Sequence, residues 1–319
     1  MADKKIIAVV GATGTQGGGL ARAILADPNG GFAVRAITRD PNKDKAKALA
    51  AAGAEVVQAD IDDVASLTKA FEGAYGVYGV TNFWEHFSAE KEKSQAKNIA
   101  EAAKAAGVKH VIWSTLEDTR QYMPADDKRM PILQDKYRVP HFDAKADANA
   151  VFAGVPATML LTSFFWDNLY NFALAPKKNE QGVYGWSYPM GEAKLPGIAV
   201  EDIGKTALAI FKGGQQYVGK TIGIAGESLS FQEMSKKLES GLGISPVTFT
   251  PVDADVFRGY GFPGADEYGN MFQTYRDFEK EVNAVRSVET TRQLNPQLQS
   301  FDQWLAKNKD KVAKATQPA

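Results

Sequence analysis

Seven consecutive residues, Gly11-Ala12-Thr13-Gly14-Thr15-Gln16-Gly17, carry the strongest chemical signal in this 319-residue chain. Glycine at every third position turns the backbone sharply, lets it approach a diphosphate closely and lets the next helix pack tightly. A Cβ would obstruct each of these. Free N–H groups and the positive end of the helix dipole then favour an anion at that point. A glycine-rich turn also occurs without any ligand. Here, however, it follows the apolar run Ile6 to Val10 and opens a helical pattern, as a dinucleotide-binding βαβ unit requires.

About 20 residues further on, NAD sites carry an acid that bonds the ribose 2′-hydroxyl. This chain reads Thr38-Arg39-Asp40-Pro41-Asn42-Lys43 there. A guanidinium at Arg39 and an ammonium at Lys43 suit a 2′-phosphate, which an aspartate repels, so NADP(H) is the expected dinucleotide. NAD(H) stays open, because a one-residue shift brings Asp40 to the ribose. Both basic residues also suit a solvated loop and helix start. Asp60-Ile61 follows the third strand, where an adenine is commonly held; Asp60 equally suits a helix cap. Thr81-Asn82-Phe83 ends the fourth strand at the edge where open α/β sheets bind ligands.

Hydride-transfer enzymes of the short-chain class place a phenol four residues before a lysine, so that the ammonium lowers the phenol pKa. Lys145 is the suitably placed lysine, but His141 stands where the tyrosine should be, and Pro140 separates Tyr137 from the helix. Lys145 is thus expected to hold a nicotinamide ribose, and to be the catalytic residue if the chain is active. His141 is either an acid or a surface or capping residue, and Ser114 either polarises a substrate or merely ends a strand. Phe83, Trp84, Phe164, Phe165 and Trp166 form either an apolar wall at the same edge or packing between the two parts of the chain.

The elements that must position these residues alternate. Strands are expected at 6–10, 33–38, 55–58, 75–81, 109–114 and 157–161, with helices at 16–26, 44–52, 63–72, 88–106 and 143–153. This pattern predicts an α/β, Rossmann-type doubly wound parallel sheet over residues 1–162. Residues 163–319 are expected to form a smaller α+β part packed on it, some of its strands extending the sheet. Helices are expected at 201–211, 231–241 and 301–308, strands at 220–225 and 246–250, and a frayed tail from Lys311. The stretch 117–140, with Pro124, Pro131 and Pro140, reads as a mobile segment or a lid.

A net charge of -1 offers no basic field for direct nucleic-acid binding. With no cysteine and three histidines, neither disulfides nor a metal site is expected. No leader or membrane-spanning run is visible, so a cytoplasmic protein is expected, with the nucleus as a further compartment.

Several motifs together resemble the NmrA-like family: the glycine turn, Thr38 to Pro41 with Lys43, Gly53-Ala54-Glu55-Val56-Val57 before Asp60, Thr81-Asn82-Phe83-Trp84-Glu85, and His141-Phe142-Asp143-Ala144-Lys145. Gly261-Phe262-Pro263-Gly264-Ala265, Leu294-Asn295-Pro296 and Asp302-Gln303-Trp304-Leu305 are similar to its redox-sensor branch. That family is an atypical branch of the short-chain dehydrogenases whose members bind NADP(H) or NAD(H), often lack the tyrosine and regulate partners such as transcription factors. The resemblance implies cofactor contacts from Gly11 through Gln16, Arg39, Lys43, Asp60, Ile61, Thr81 through Phe83, Lys145, and Thr162, Ser163, Phe164 and Phe165. Thr162-Ser163 departs from the proline-containing segment expected there, and the 117–140 insert differs from that of close relatives. The expected function is an NADP(H)-binding redox sensor, monomeric or homodimeric, acting on a regulatory protein partner. The alternative is an NADPH-dependent reductase of a quinone, imine or enone, with Lys145 as its acid or base.

Overall fold

Ile7, Ala8 and Val9 are completely buried because strand β1 (Lys5–Val9) runs through the middle of a parallel sheet covered on both faces. From β1 the chain alternates through α1 (Thr15–Leu25), β2 (Phe32–Thr38), α2 (Asp44–Ala51), β3 (Glu55–Gln58), α3 (Val64–Phe71), β4 (Gly76–Gly79), α4 (Ala89–Ala105), β5 (His110–Thr115), α5 (Pro140–Ala148) and β6 (Ala157–Leu161). Then follow β7 (Phe164–Phe165), α6 (Asn168–Asn171), β8 (Lys177–Lys178), β9 (Tyr184–Trp186), β10 (Leu195–Ile198), α7 (Val200–Gly213), β11 (Thr221–Gly223), β12 (Glu227–Leu229), α8 (Phe231–Leu242) and β13 (Val247–Phe249). The chain closes with α9 (Ala254–Arg258), α10 (Ala265–Asp277), α11 (Glu279–Ala284), α12 (Val288–Leu294) and α13 (Phe301–Ala315). The computed structural model describes residues 4–124, 126–171 and 174–317.

The main sheet has seven strands in the order β11-β6-β5-β4-β1-β2-β3, and every neighbouring pair is parallel. Alternation along β1 sends Ile7 and Val9 to one face, with Leu20, Ile24, Ile203 and Phe211 of α1 and α7. Ala8 and Val10 join Leu67, Phe71 and Ile99 of α3 and α4 on the other. Helices α1 and α7 meet backbone to backbone: a Cβ on Gly204 would lie 2.3 Å from the carbonyl carbon of Gly19. The strand order reverses between β1 and β4, which opens a crevice at their carboxyl ends.

The C-terminal part returns to this sheet through β11, which pairs with β6, as expected of some of its strands. Its own two three-stranded sheets, β12-β10-β7 and β13-β9-β8, surround an aromatic core with Phe231, Phe272, Phe301 and Trp304. Buried polar pins join it to the rest. Arg286 forks onto Glu117 at 2.8 and 2.6 Å and donates to the Thr162 carbonyl at 2.8 Å. Asp202, at the start of α7, accepts from Asn295 and twice from Gln299.

Several expectations are corrected. Helix α5 starts at Pro140, not Asp143, because proline fits a first helical position whose N–H needs no partner. No fraying begins at Lys311: α13 continues to Ala315, since Val312 is buried in the C-terminal core; residues 318 and 319 lie outside the described ones. Helices α9 to α12 were not anticipated. The described residues of the 117–140 stretch are held by buried polar contacts. Asp143 accepts from the Thr119 N–H and hydroxyl and from the N–H groups of Arg138 and Val139 at 2.7–3.1 Å. The Arg138 guanidinium donates to the carbonyls of Met123, Pro124, Asp127 and Met130. No helix among the described residues is long and apolar enough to cross a membrane.

Candidate functional site

The crevice at the strand-order reversal widens into a cavity of 440 Å³. Gly11, Thr13, Gly14, Thr15, Gln16, Gly17, Arg39, Lys43, Ile61, Thr81, Asn82, Phe83, Lys145, Thr162, Ser163, Phe164 and Phe165 all line it. Ala12 is buried beneath the turn. Asp60 lines a separate hollow with Arg39, Gln58 and Ser66; its carboxylate accepts from the Asp62 N–H, while the cap of α3 is Asp63. Of the two roles open to the aromatics, Phe83, Trp84, Phe164 and Phe165 line the cavity, whereas Trp166 takes the packing role, edge-on against Phe301 in the C-terminal core.

The glycine turn is shaped by close approach. Gly11 has φ +63°, and a Cβ on Gly17 would stand 2.5 Å from the Gly11 carbonyl oxygen. No side chain caps α1, so the N–H groups of its first turn, whose residues Thr15, Gln16 and Gly17 line the cavity, have no side-chain acceptor at the cap. The Gln16 side chain is drawn back towards the sheet, its Oε1 accepting from the hydroxyls of Tyr78 and Ser114, both at 2.8 Å.

Deeper in, Lys145 on α5 is held on three sides. Its Nζ lies 2.6 Å from Glu92 Oε1 on α4 and 2.6 Å from the Thr81 hydroxyl, and 5.0 Å from the centre of the Trp113 ring. The Thr81 hydroxyl donates to the same carboxylate oxygen at 2.5 Å. Glu92 is completely buried, with its second oxygen 3.5 Å from His86 Nε2. Burial alone pushes the Glu92 carboxyl up. The Lys145 charge, with hydrogen bonds from Lys145 and Thr81 and the His86 ring close by, outweighs it and brings the pKa down to about 2.

One helical turn before Lys145, the His141 N–H donates to Glu267 Oε1 of α10 at 2.8 Å, and its ring Nδ1 meets the same oxygen. Trp84 stacks on Tyr268 with ring centres 4.4 Å apart, and His141 lies against Trp84. With Phe142, Met271 and Tyr275, these rings make an apolar compartment beyond Lys145. Glu85, next to Trp84 in the same turn, meets Arg39 Nη1 with its Oε1 at 2.5 Å.

Sequence reasoning missed Glu92, Glu267, Tyr268, Met271 and Tyr275. Glu92 left a readable trace: it falls in the buried stripe of Ala89, Ala96, Ile99 and Ala103, where a charge demands a partner. The α10 residues left none, because polar Glu267, Asn270, Gln273 and Thr274 interrupt the buried face of that helix.

Residues 3–305 match the model of the NmrA-like family. The NmrA-like oxidoreductase FrzB of Cladobotryum sp is 30% identical over 84% of this chain and 82% of its own length. Its counterpart malD of Malbranchea aurantiaca is 31% identical over 72% and 71%. Among solved structures NmrA, described as a negative transcriptional regulator, superposes with a TM-score of 0.78 at 24% identity over 95% of both chains, and it has been solved in complex with NAD and with NADP. A match over nearly the whole length, on the fold and strand order described above, makes this chain a member of the NmrA-like family.

Proposed function

We propose that this chain binds NADP(H) in the crevice and acts as a redox sensor, without efficient dehydrogenase activity. The residues fit the dinucleotide. The uncapped start of α1 and the Cβ-free cradle at Gly17 suit a diphosphate; Arg39 and Lys43 suit a 2′-phosphate; Ile61 suits an adenine; Lys145 suits a ribose hydroxyl. Bound NADPH would supply hydride chemistry. The proposed output is altered affinity for a regulatory protein partner such as a transcription factor, which requires that the two redox forms favour different conformations.

The ion pair between Lys145 and Glu92 carries this reading. A lysine that activates a proton donor must present net positive charge to it, and a buried carboxylate at 2.6 Å cancels that charge. Lys145 keeps its capacity to donate hydrogen bonds to a ribose, and the residue four positions earlier is a histidine held by Glu267. Amide hydrogen exchange on the chain saturated with NADP+ and with NADPH tests the sensor: the expected result is a reproducible difference in at least one surface segment, and identical patterns would end the reading.

A second reading, an NADPH-dependent reductase, is favoured by the compartment of Trp84, Phe142, Tyr268 and Tyr275, which suits a flat acceptor such as a quinone, imine or enone. The description of FrzB and malD as oxidoreductases also supports it. Steady NADPH consumption across such a panel, abolished by Lys145→Ala, would establish it in place of the sensor.

A further inference from the structure

Glu85, which neither reading uses, stands across the mouth of the crevice. It ends the single helical turn Phe83–Glu85 that follows β4, and its partner Arg39 follows the last residue of β2. These are the two strands on either side of β1, so the pair spans the crevice from one rim to the other. Both side chains line the cavity, and both are about half exposed, at 63% for Arg39 and 46% for Glu85. Glu85 is the one acid paired with Arg39 among the described residues.

A guanidinium offers a carboxylate and a phosphate the same planar N–H edges, so the two compete. A 2′-phosphate carries close to two negative charges and displaces the weaker acceptor. The ribose hydroxyl of NAD(H) is neutral and leaves the ion pair in place. We propose that Glu85 is a specificity-determining residue: it occupies Arg39 until a 2′-phosphate arrives, which tempers affinity for NADP(H) and leaves affinity for NAD(H) untouched. This rests on the NADP(H) reading of the crevice. It adds a consequence for the aromatic compartment, since the turn that releases Glu85 also carries Trp84 and its stack on Tyr268.

Calorimetry on the full chain with NADPH and NADH, comparing wild type, Glu85→Gln, Arg39→Ala and the double variant, tests the proposal. Glu85→Gln is expected to tighten NADPH about 2- to 5-fold, the equivalent of a surface ion pair, and to leave NADH within about 2-fold. In the Arg39→Ala background the same substitution is expected to change nothing, because the competition has lost its object. An NADPH-to-NADH affinity ratio unmoved by Glu85→Gln, or an equal gain without Arg39, overturns the proposal. A wild type that binds neither dinucleotide removes the NADP(H) reading and the proposal with it; a wild type that binds NADPH with an unmoved ratio removes the role of Glu85 alone.

Discussion

Lys145 and Glu92 pair at 2.6 Å with the acid wholly enclosed, and the Thr81 hydroxyl bonds both. Within the fold the Glu92 carboxyl titrates near 2, against an ordinary value of 4.5. A depressed acid stabilises the native state at every pH above its unfolded value, and that contribution drains away as pH falls from about 4.5 towards about 2. Chemical denaturation between pH 6 and pH 2 should therefore show wild type losing stability relative to Glu92→Gln across that window. A gap between the two proteins that is constant with pH would contradict the assignment.

Arg39→Ala should weaken NADPH by about 1.5–3 kcal/mol, the range for a hydrogen bond to a charged group, with NADH nearly unchanged. Equal losses for both dinucleotides would show that Arg39 does not read the phosphate.

Gly17→Ala places a methyl group 2.5 Å from the carbonyl oxygen of Gly11 and 2.6 Å from that of Val10. Neither main-chain carbonyl yields without shifting the turn, so the variant should lose about 1–3 kcal/mol of stability. NADPH affinity should fall at least about tenfold. Gly14→Ala meets only the Gly11 oxygen, at 3.1 Å, and should be the milder of the two in thermal melts and in titration.

The buried fork between Arg286 and Glu117 predicts a non-additive pair. Glu117→Gln or Arg286→Met alone leaves a buried charge without its counter-ion and should cost about 3–5 kcal/mol. Replacing both residues by apolar ones of similar size should recover much of that loss in a denaturation series. Simple addition of the two losses would mean that the residues do not act as one unit.

The first half of the fold was legible because its strands are apolar runs of the right length between helices punctuated by glycine, aspartate and proline. The bounds of β3 and β6 were read to the residue, at Glu55–Gln58 and Ala157–Leu161. The glycine turn was equally plain, since its backbone requirements are local. The partners of Lys145 and His141 were not, because Glu92 and Glu267 reach them from distant helices. Trp166 stayed open between wall and packing because chain position alone does not decide it; Phe301 and Trp304, which hold it in the core, arrive only through tertiary packing.

Arg138 grips the 117–140 stretch wholly through carbonyl oxygens, those of Met123, Pro124, Asp127 and Met130. A clasp of that kind is indifferent to side-chain identity. Substitutions at those four positions therefore leave the acceptors of the clasp in place, which separates the choice of side chains there from the hold on the main chain.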